Sequence, residues 1–194
     1  MKRVFLTSDT HFSHQNILRF EAKNRPFPNI YLHNQELVAR WNSVVNNDDV
    51  VWHLGDVFFG SDNSEVLQAL NGTKHLVLGN HDHYGIQNYL PFFDKIVGCT
   101  QINHCILTHI PIHPSQFFRF KANIHGHLHS HLIDDARYFN VCVEQNNLTP
   151  MLLDDVFAKI ERRLKQKLWF STVNVYFFSK KHGLLCFFLK KKTC

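Results

Sequence analysis

Five polar blocks punctuate this chain, each directly after a short apolar run: Asp9-Thr10-His11, Gly55-Asp56, Gly79-Asn80-His81-Asp82, His109, and Gly126-His127-Leu128-His129. The runs before them, such as Val4–Ser8 and Val50–Leu54, are too short for helices and read as buried strands. The chain therefore ends strand after strand in carboxylates and imidazoles, with no thiolate among them. Seven such donors exceed the about four that one zinc-type ion takes. They suit two ions sharing a bridging carboxylate, an arrangement used for in-line attack on phosphorus.

Asp9 and His11 are two apart, and alternate residues of an extended chain point to one side. Asp56 follows Gly55, which permits a tight bend and close backbone approach. Its two oxygens allow it to bridge. The Asn80 amide oxygen is a weak donor that makes sense only beside stronger ones. His81, next to it, cannot readily reach the same ion. His109 ends the run Cys105–Thr108. In His125-Gly126-His127-Leu128-His129-Ser130-His131 four alternate histidines share a face, and the Gly-His-x-His register selects His127 and His129. His53 shares a strand face with Val51 and reads as a satisfied strand histidine. Asn16, Arg25 and Arg119 are candidates to reach a phosphate or leaving group. Phe58, Phe59, Phe117, Phe118 and Phe120 could line an aromatic pocket, although core packing is the commoner fate of such rings.

Strand-like and helix-like runs alternate, which favours an α/β fold. Helical periodicity covers Asn34–Val45, Ser64–Leu70, Tyr84–Leu90 and the face Val156, Phe157, Ile160 and Leu164. From Ile96 onward short strands dominate, at Ile102–Thr108, Ala122–His125 and Tyr138–Val143. Residues 1–166 are expected to form one domain. Residues 167–194 read as a basic, aromatic extension. It is expected to be a hairpin of Trp169–Phe178 with Leu184–Leu189, or a disordered tail.

The ordered series D-x-H, G-D, G-N-H-D, H, G-H-x-H resembles the calcineurin-like metallophosphoesterases, from Lys2 to about Gln166. Thr7-Ser8-Asp9-Thr10-His11-Phe12 and Arg25-Pro26-Phe27 are similar to the small cap-less bacterial and phage members. The resemblance implies a four-layer α/β/β/α sandwich with the metals where the strand ends of two sheets meet. It implies one ion on Asp9, His11, Asp56 and His129, and a second on Asp56, Asn80, His109 and His127. It gives Asp56 the bridging role and His81 the role of assisting departure of the leaving oxygen. The nucleophile would be a hydroxide shared by two divalent ions, manganese first, with iron, nickel, cobalt or zinc also compatible.

The implied enzyme is a phosphoesterase for a small phosphorylated or nucleotide substrate, with nucleic-acid ends a further option. A protein phosphatase is disfavoured, because Gly55-Asp56-Val57-Phe58-Phe59-Gly60 lacks a second Asp and an Arg. A non-catalytic scaffold on this fold and a nucleic-acid binder are the competing classes. Residues 1–166 hold 15 Lys/Arg and 16 Asp/Glu, whereas 167–194 hold six Lys and no acid. The body thus lacks the basic footprint of a nucleic-acid groove. Five cysteines without a C-x-x-C pair do not suggest a disulfide framework and fit a reducing cytoplasm. No stretch reaches the roughly 18 apolar residues of a membrane span.

Overall fold

Strand β1 (Val4–Thr7) lies at the heart of the chain because it is apolar on both sides, and the computed structural model buries it between two layers. The structure describes residues 2–60 and 64–181, with side chains as far as residue 167. β1 pairs in parallel with β2 (Val50–His53), which pairs with β3 (Thr73–Val77), which pairs with β4 (Lys95–Val97). On its other side β1 meets the short antiparallel strand β9 (Met151–Leu152). The second sheet has the order β5 (Thr100–Ile102), β6 (Cys105–Thr108), β7 (Ala122–His125), β8 (Tyr138–Asn140). Only its β5–β6 pair is antiparallel. The protein is thus α/β with two mixed sheets.

The period-2 alternation of each strand sorts its residues between two cores. Leu6, Val50, Trp52 and Val77 face the second sheet and meet Leu107, Ile124 and Phe139. Phe5, Val51 and Leu76 face away and meet Leu37 and Trp41 of helix α2 (Ile30–Val44) and Leu67 of α3 (Ser64–Gln68). A four-residue helix, α1 (Ile17–Phe20), precedes α2. α2 begins where Asn29 Oδ1 accepts from Leu32 N at 2.9 Å, an N-cap bond that satisfies one of the free amides of the first turn. Helix α4 (Leu153–Lys181) inserts Val156 and Ile160 into the core between the sheets.

Three expected elements differ. The run Ile102–Thr108 is the hairpin of β5 and β6, turned at Asn103 and His104, whose φ angles of 46° and 63° suit a tight two-residue turn. The helix expected over Tyr84–Leu90 shrinks to a 3₁₀ turn at Ile86–Asn88, because Gly85 at φ 84° interrupts its start and Pro91 follows it closely. The strand expected over Trp169–Phe178 is a continuation of α4, so residue 166 marks no break in secondary structure. From Met151 to Lys181 the chain contains neither glycine nor proline. An established helix extends more cheaply than a new strand pair can nucleate. Leu184–Leu189, the other half of the expected hairpin, lies outside the described residues. Among the described residues no helix is long and apolar enough to cross a membrane.

Asp49, at the turn into β2, ties the start of β1 to the helix side of the sheet. Its Oδ1 accepts from Arg3 N and Nε at 3.0 and 3.2 Å, and its Oδ2 from Arg3 Nη2 and Asn46 N at 2.5 and 2.8 Å. The Arg3 side chain, above all, holds the Asp49 carboxyl down at about 2. A carboxylate depressed on folding contributes stability above its unfolded pKa, about 3.9, and loses that contribution as pH falls further. Asp49→Asn should therefore lower the urea midpoint at pH 7. Its gap from wild type should close as the pH falls from about 4 toward about 2. A gap that does not change with pH contradicts this.

Candidate metal centre

The loops leaving β1 and β2 are laced together by backbone bonds, Asp9 N to Gly55 O at 2.9 Å and His11 N to Asp56 O at 3.1 Å. The loops leaving β6 and β7 are joined in the same way, Gly126 N to His109 O at 2.9 Å. Two bonds then cross between sheets: His127 N donates to Asp9 Oδ2 at 2.9 Å, and Val143 N donates to Ser8 O at 3.1 Å. Gly126 sits so close to this seam that a Cβ there would overlap Ser8 Oγ and Asp9 Oδ2.

This convergence brings the sequence-predicted residues into two groups. Asp9, His11 and His129 each offer a donor atom to one cluster, and Asp56, His109 and His127 to the other, all within 4.8 Å in each. Asp56 Oδ2 lies between them, 3.7 Å from His11 Nε2 and 3.4 Å from His109 Nε2. Asp9 Oδ1 is 3.7 Å from both His11 Nε2 and His129 Nε2. Asn80 Oδ1 is 2.9 Å from His109 Nε2, on the second cluster.

The donor set fits a pair of cations. Ligand atoms about 2.0–2.2 Å from one tetrahedral ion lie roughly 3.4 Å apart, close to these separations. Asp9 Oδ1 and His11 Nε2 are buried and have no hydrogen-bond partner among the described residues. Leaving such atoms bare costs free energy. The backbone shows strain as well. Asp9, His11, Asp56, His127 and His129 all have φ between 48° and 69°, the left-handed region that side chains disfavour. Strain clustered at one place points to a site held for function.

Charge is arranged to match. Burial opposes ionisation of Asp9, yet the nearby imidazoles of His11, His109 and His129 hold it well below the usual carboxylate range. Asp56 is likewise lowered against burial, chiefly by His109, whose Nε2 lies 3.4 Å from Asp56 Oδ2. Burial also opposes charge on His109, but Asp56 and Asp9 raise it to about 9. His129 is raised against burial by its hydrogen bond to Glu144 and by the charge of Asp9. His11 and His127 are lowered by burial.

His81 stands beside both clusters. Its backbone N–H donates to Asp56 Oδ1 at 2.8 Å and its ring lies half-buried, 5.9 Å from that of His11. His127 and His129 enter the clusters, His125 is buried in β7 with Nδ1 2.8 Å from Gly126 O, and His131 is exposed. His53 is a satisfied strand residue, its Nε2 2.9 Å from Thr10 Oγ1 and its Nδ1 accepting from Gly55 N.

Arg25 is not a substrate residue. It is fully buried, donating to Asp9 O, Thr10 O and Glu144 Oε1 at 2.5–2.8 Å, so it braces the loop that carries Asp9. Asn16 and Arg119 are exposed. Phe58 is core, Phe117 packs edge-on against Tyr138, Phe118 is exposed and Phe120 is half-buried. Only Phe59 belongs to the site, its ring 5.1 Å from those of both His11 and His81.

Two carboxylates outside the candidate ligand set support it. Asp82 accepts from Asp56 N, Val57 N and Gly79 N at 2.8–3.0 Å, which clamps the second loop to the third. Its place in Gly79-Asn80-His81-Asp82 was the available signal. Glu144 accepts from His129 Nδ1 at 3.0 Å while paired with Arg25. Its distance along the chain left no local signal. Glu144→Gln should weaken uptake of divalent cation by about 10–100-fold, the usual cost of losing an outer-shell partner. It should also destabilise the fold by about 3–5 kcal/mol through the unpaired Arg25. Calorimetric titration and urea melts check both, and a stability loss with unchanged uptake would contradict the orienting role.

Fold and site together define the class: a two-sheet α/β protein with paired carboxylate–imidazole clusters at its strand ends, able to hold two metal ions. The chain is 33% identical over 174 residues to the uncharacterized protein MJ1445 of Methanocaldococcus jannaschii, covering 84% of this chain and 93% of that one, and it belongs to the same family. It is 28% identical to the gene 66 protein of Mycobacterium phage L5, across 69% of this chain and 80% of that protein. The crystal structure of AQ665 of Aquifex aeolicus, a protein of unknown function, superposes with a TM-score of 0.69 at 26% identity, over 81% of this chain and 99% of that one. No family model matches the chain.

Proposed function

We propose that this chain is a metal-dependent phosphoesterase with a dinuclear centre, acting on a small phosphorylated or nucleotide substrate. The observation that carries the reading is Asp56 Oδ2, seated between His11 Nε2 and His109 Nε2 at 3.7 and 3.4 Å, where one carboxylate can serve two cations. In this reading Asp9, His11, Asp56 and His129 hold one ion, and Asp56, Asn80, His109 and His127 hold the other. Manganese is the first choice for such a nitrogen and oxygen set, with iron, nickel, cobalt or zinc compatible. The four-layer α/β/β/α order belongs to the same reading, supported by the two facing sheets and by α2 and α3 outside the first.

Two cations there would supply Lewis acidity for a phosphoryl oxygen and an ionised water near neutral pH. The rest falls to the chain. Asp56, within reach of both clusters, would hold the cations together and screen their repulsion. The His81 ring, on the open side of the clusters, is the group to protonate the leaving oxygen or to stabilise its charge. With Arg25 buried against Glu144, recognition of phosphate rests on the metals and His81 rather than on an arginine clamp. That favours small diesters, nucleotides or nucleic-acid ends over phosphoproteins, in line with the absent Asp-Arg-Gly segment after Asp56. A non-catalytic scaffold on this fold would be expected to have lost ligands or His81, and this chain retains all of them.

His81→Ala should keep both metals and lose about 10²–10⁴ in turnover on poor leaving groups. The loss should shrink for a nitrophenyl ester, whose leaving oxygen hardly needs a proton. Collapse of metal occupancy would instead make His81 a ligand. In a hydrolysis panel with each metal, small diesters should be cleaved and a folded phosphoprotein spared; the opposite preference overturns the substrate class.

A further inference from the structure

Three imidazoles of the centre turn Nε2 toward its carboxylates; with a cation on Nε2, each would need an acceptor for the proton on Nδ1. His109 Nδ1 lies 2.7 Å from Leu54 O, and His129 Nδ1 lies 3.0 Å from Glu144 Oε1. The partner of His11 is of another kind. Its Nδ1 lies 3.0 Å from the Nδ1 of a second imidazole, His14.

Two facing ring nitrogens at this distance form a bond only if one carries a proton and the other a lone pair. His11 Nε2 faces Asp9 Oδ1 and Asp56 Oδ2, so with a cation on Nε2 the proton of neutral His11 would belong on Nδ1. His14 must then accept through Nδ1 and keep its own proton on Nε2. Aromatic packing holds the pair in place. The Phe59 ring stacks on His14 with centroids 3.8 Å apart and planes 13° apart, and on His11 at 5.1 Å and 18°. Phe20 meets the edge of His14 at 6.2 Å. A turn fixes the backbone, with His14 N donating to His11 O at 3.1 Å.

We propose that His14 is a positioning residue of the metal centre: it selects the tautomer and ring angle of His11, and Phe59 holds His14 in place. The proposal rests on the two-metal reading and adds a role for a residue that binds neither ion. It predicts an effect on the cluster of Asp9, His11 and His129 and none on that of Asp56, His109 and His127.

The test compares full-length wild type, His14→Phe and His14→Asn by calorimetric titration with manganese. His14→Phe keeps a ring on Phe59 but offers no acceptor. One of two binding steps should weaken about 10–100-fold while the other is unchanged. His14→Asn puts an amide oxygen where Nδ1 was and should recover most of the loss. Binding by His14→Phe equal to wild type overturns the proposal, as does His14→Asn being as weak as His14→Phe. A second readout uses a diamagnetic ion. Long-range ¹⁵N–¹H correlation on zinc-reconstituted wild type should place the His11 proton on Nδ1 and the His14 proton on Nε2, and a His14 proton on Nδ1 overturns the proposal. If wild type takes up no metal, the phosphoesterase reading and this proposal fall together; two ions bound equally by wild type and His14→Phe sink this proposal alone.

Discussion

The carboxylate of Asp9 divides its two oxygens between structure and chemistry, and the rest of the centre depends on that division. Oδ2 is saturated, accepting from Ser8 Oγ at 2.5 Å, His127 N at 2.9 Å and Cys142 Sγ at 3.1 Å. Ser8 and Asp9 follow β1 in the first sheet, whereas Cys142 and His127 follow strands of the second. One oxygen therefore fastens the two sheets at the end where their loops meet. Oδ1 is left buried and bare, aimed at His11 and His129. A buried oxygen without a donor is costly unless a cation takes the donor's place. The fold is thus built so that binding a cation relieves a cost the protein already carries.

The loops accept further cost to present these groups. Five of the seven candidate ligands sit in left-handed backbone, each at on the order of 1–3 kcal/mol. Such geometry persists only where the surroundings over-determine it. Asp82 does this for Asp56 by collecting three backbone N–H groups, and Arg25 does it for Asp9 and Thr10 by holding their carbonyl oxygens. Both braces lie outside the clusters, so the chemistry at the strand ends depends on charges one layer further out.

What could be read from the sequence was local. Carboxylates and imidazoles directly after an apolar run mark a strand end, with a glycine before three of the five blocks, and these signals named every residue that the two clusters bring together. Asp9 and His11, Asp56, His109, and His127 and His129 come from four separate stretches of the chain, yet each stretch carried its own signal. The outer braces had none. Arg25 read as a candidate to reach a phosphate, because its partner Glu144 is 119 positions away. His14 lies close to His11 in sequence, but only the Phe59 stack makes their contact unavoidable. The continuation of α4 past residue 166 was hidden by aromatic and β-branched residues that suit a strand; the helix already formed decides the outcome.

The central claim is that one carboxylate, Asp56, holds two cations together. Elemental analysis after manganese reconstitution tests it most directly, on wild type and on Asp56→Asn. Two ions per chain in wild type and a loss of both in the variant are predicted, because each cluster loses a charged ligand. A single ion supporting full phosphoesterase activity, or an Asp56→Asn protein that keeps two ions with undiminished affinity, would contradict the account.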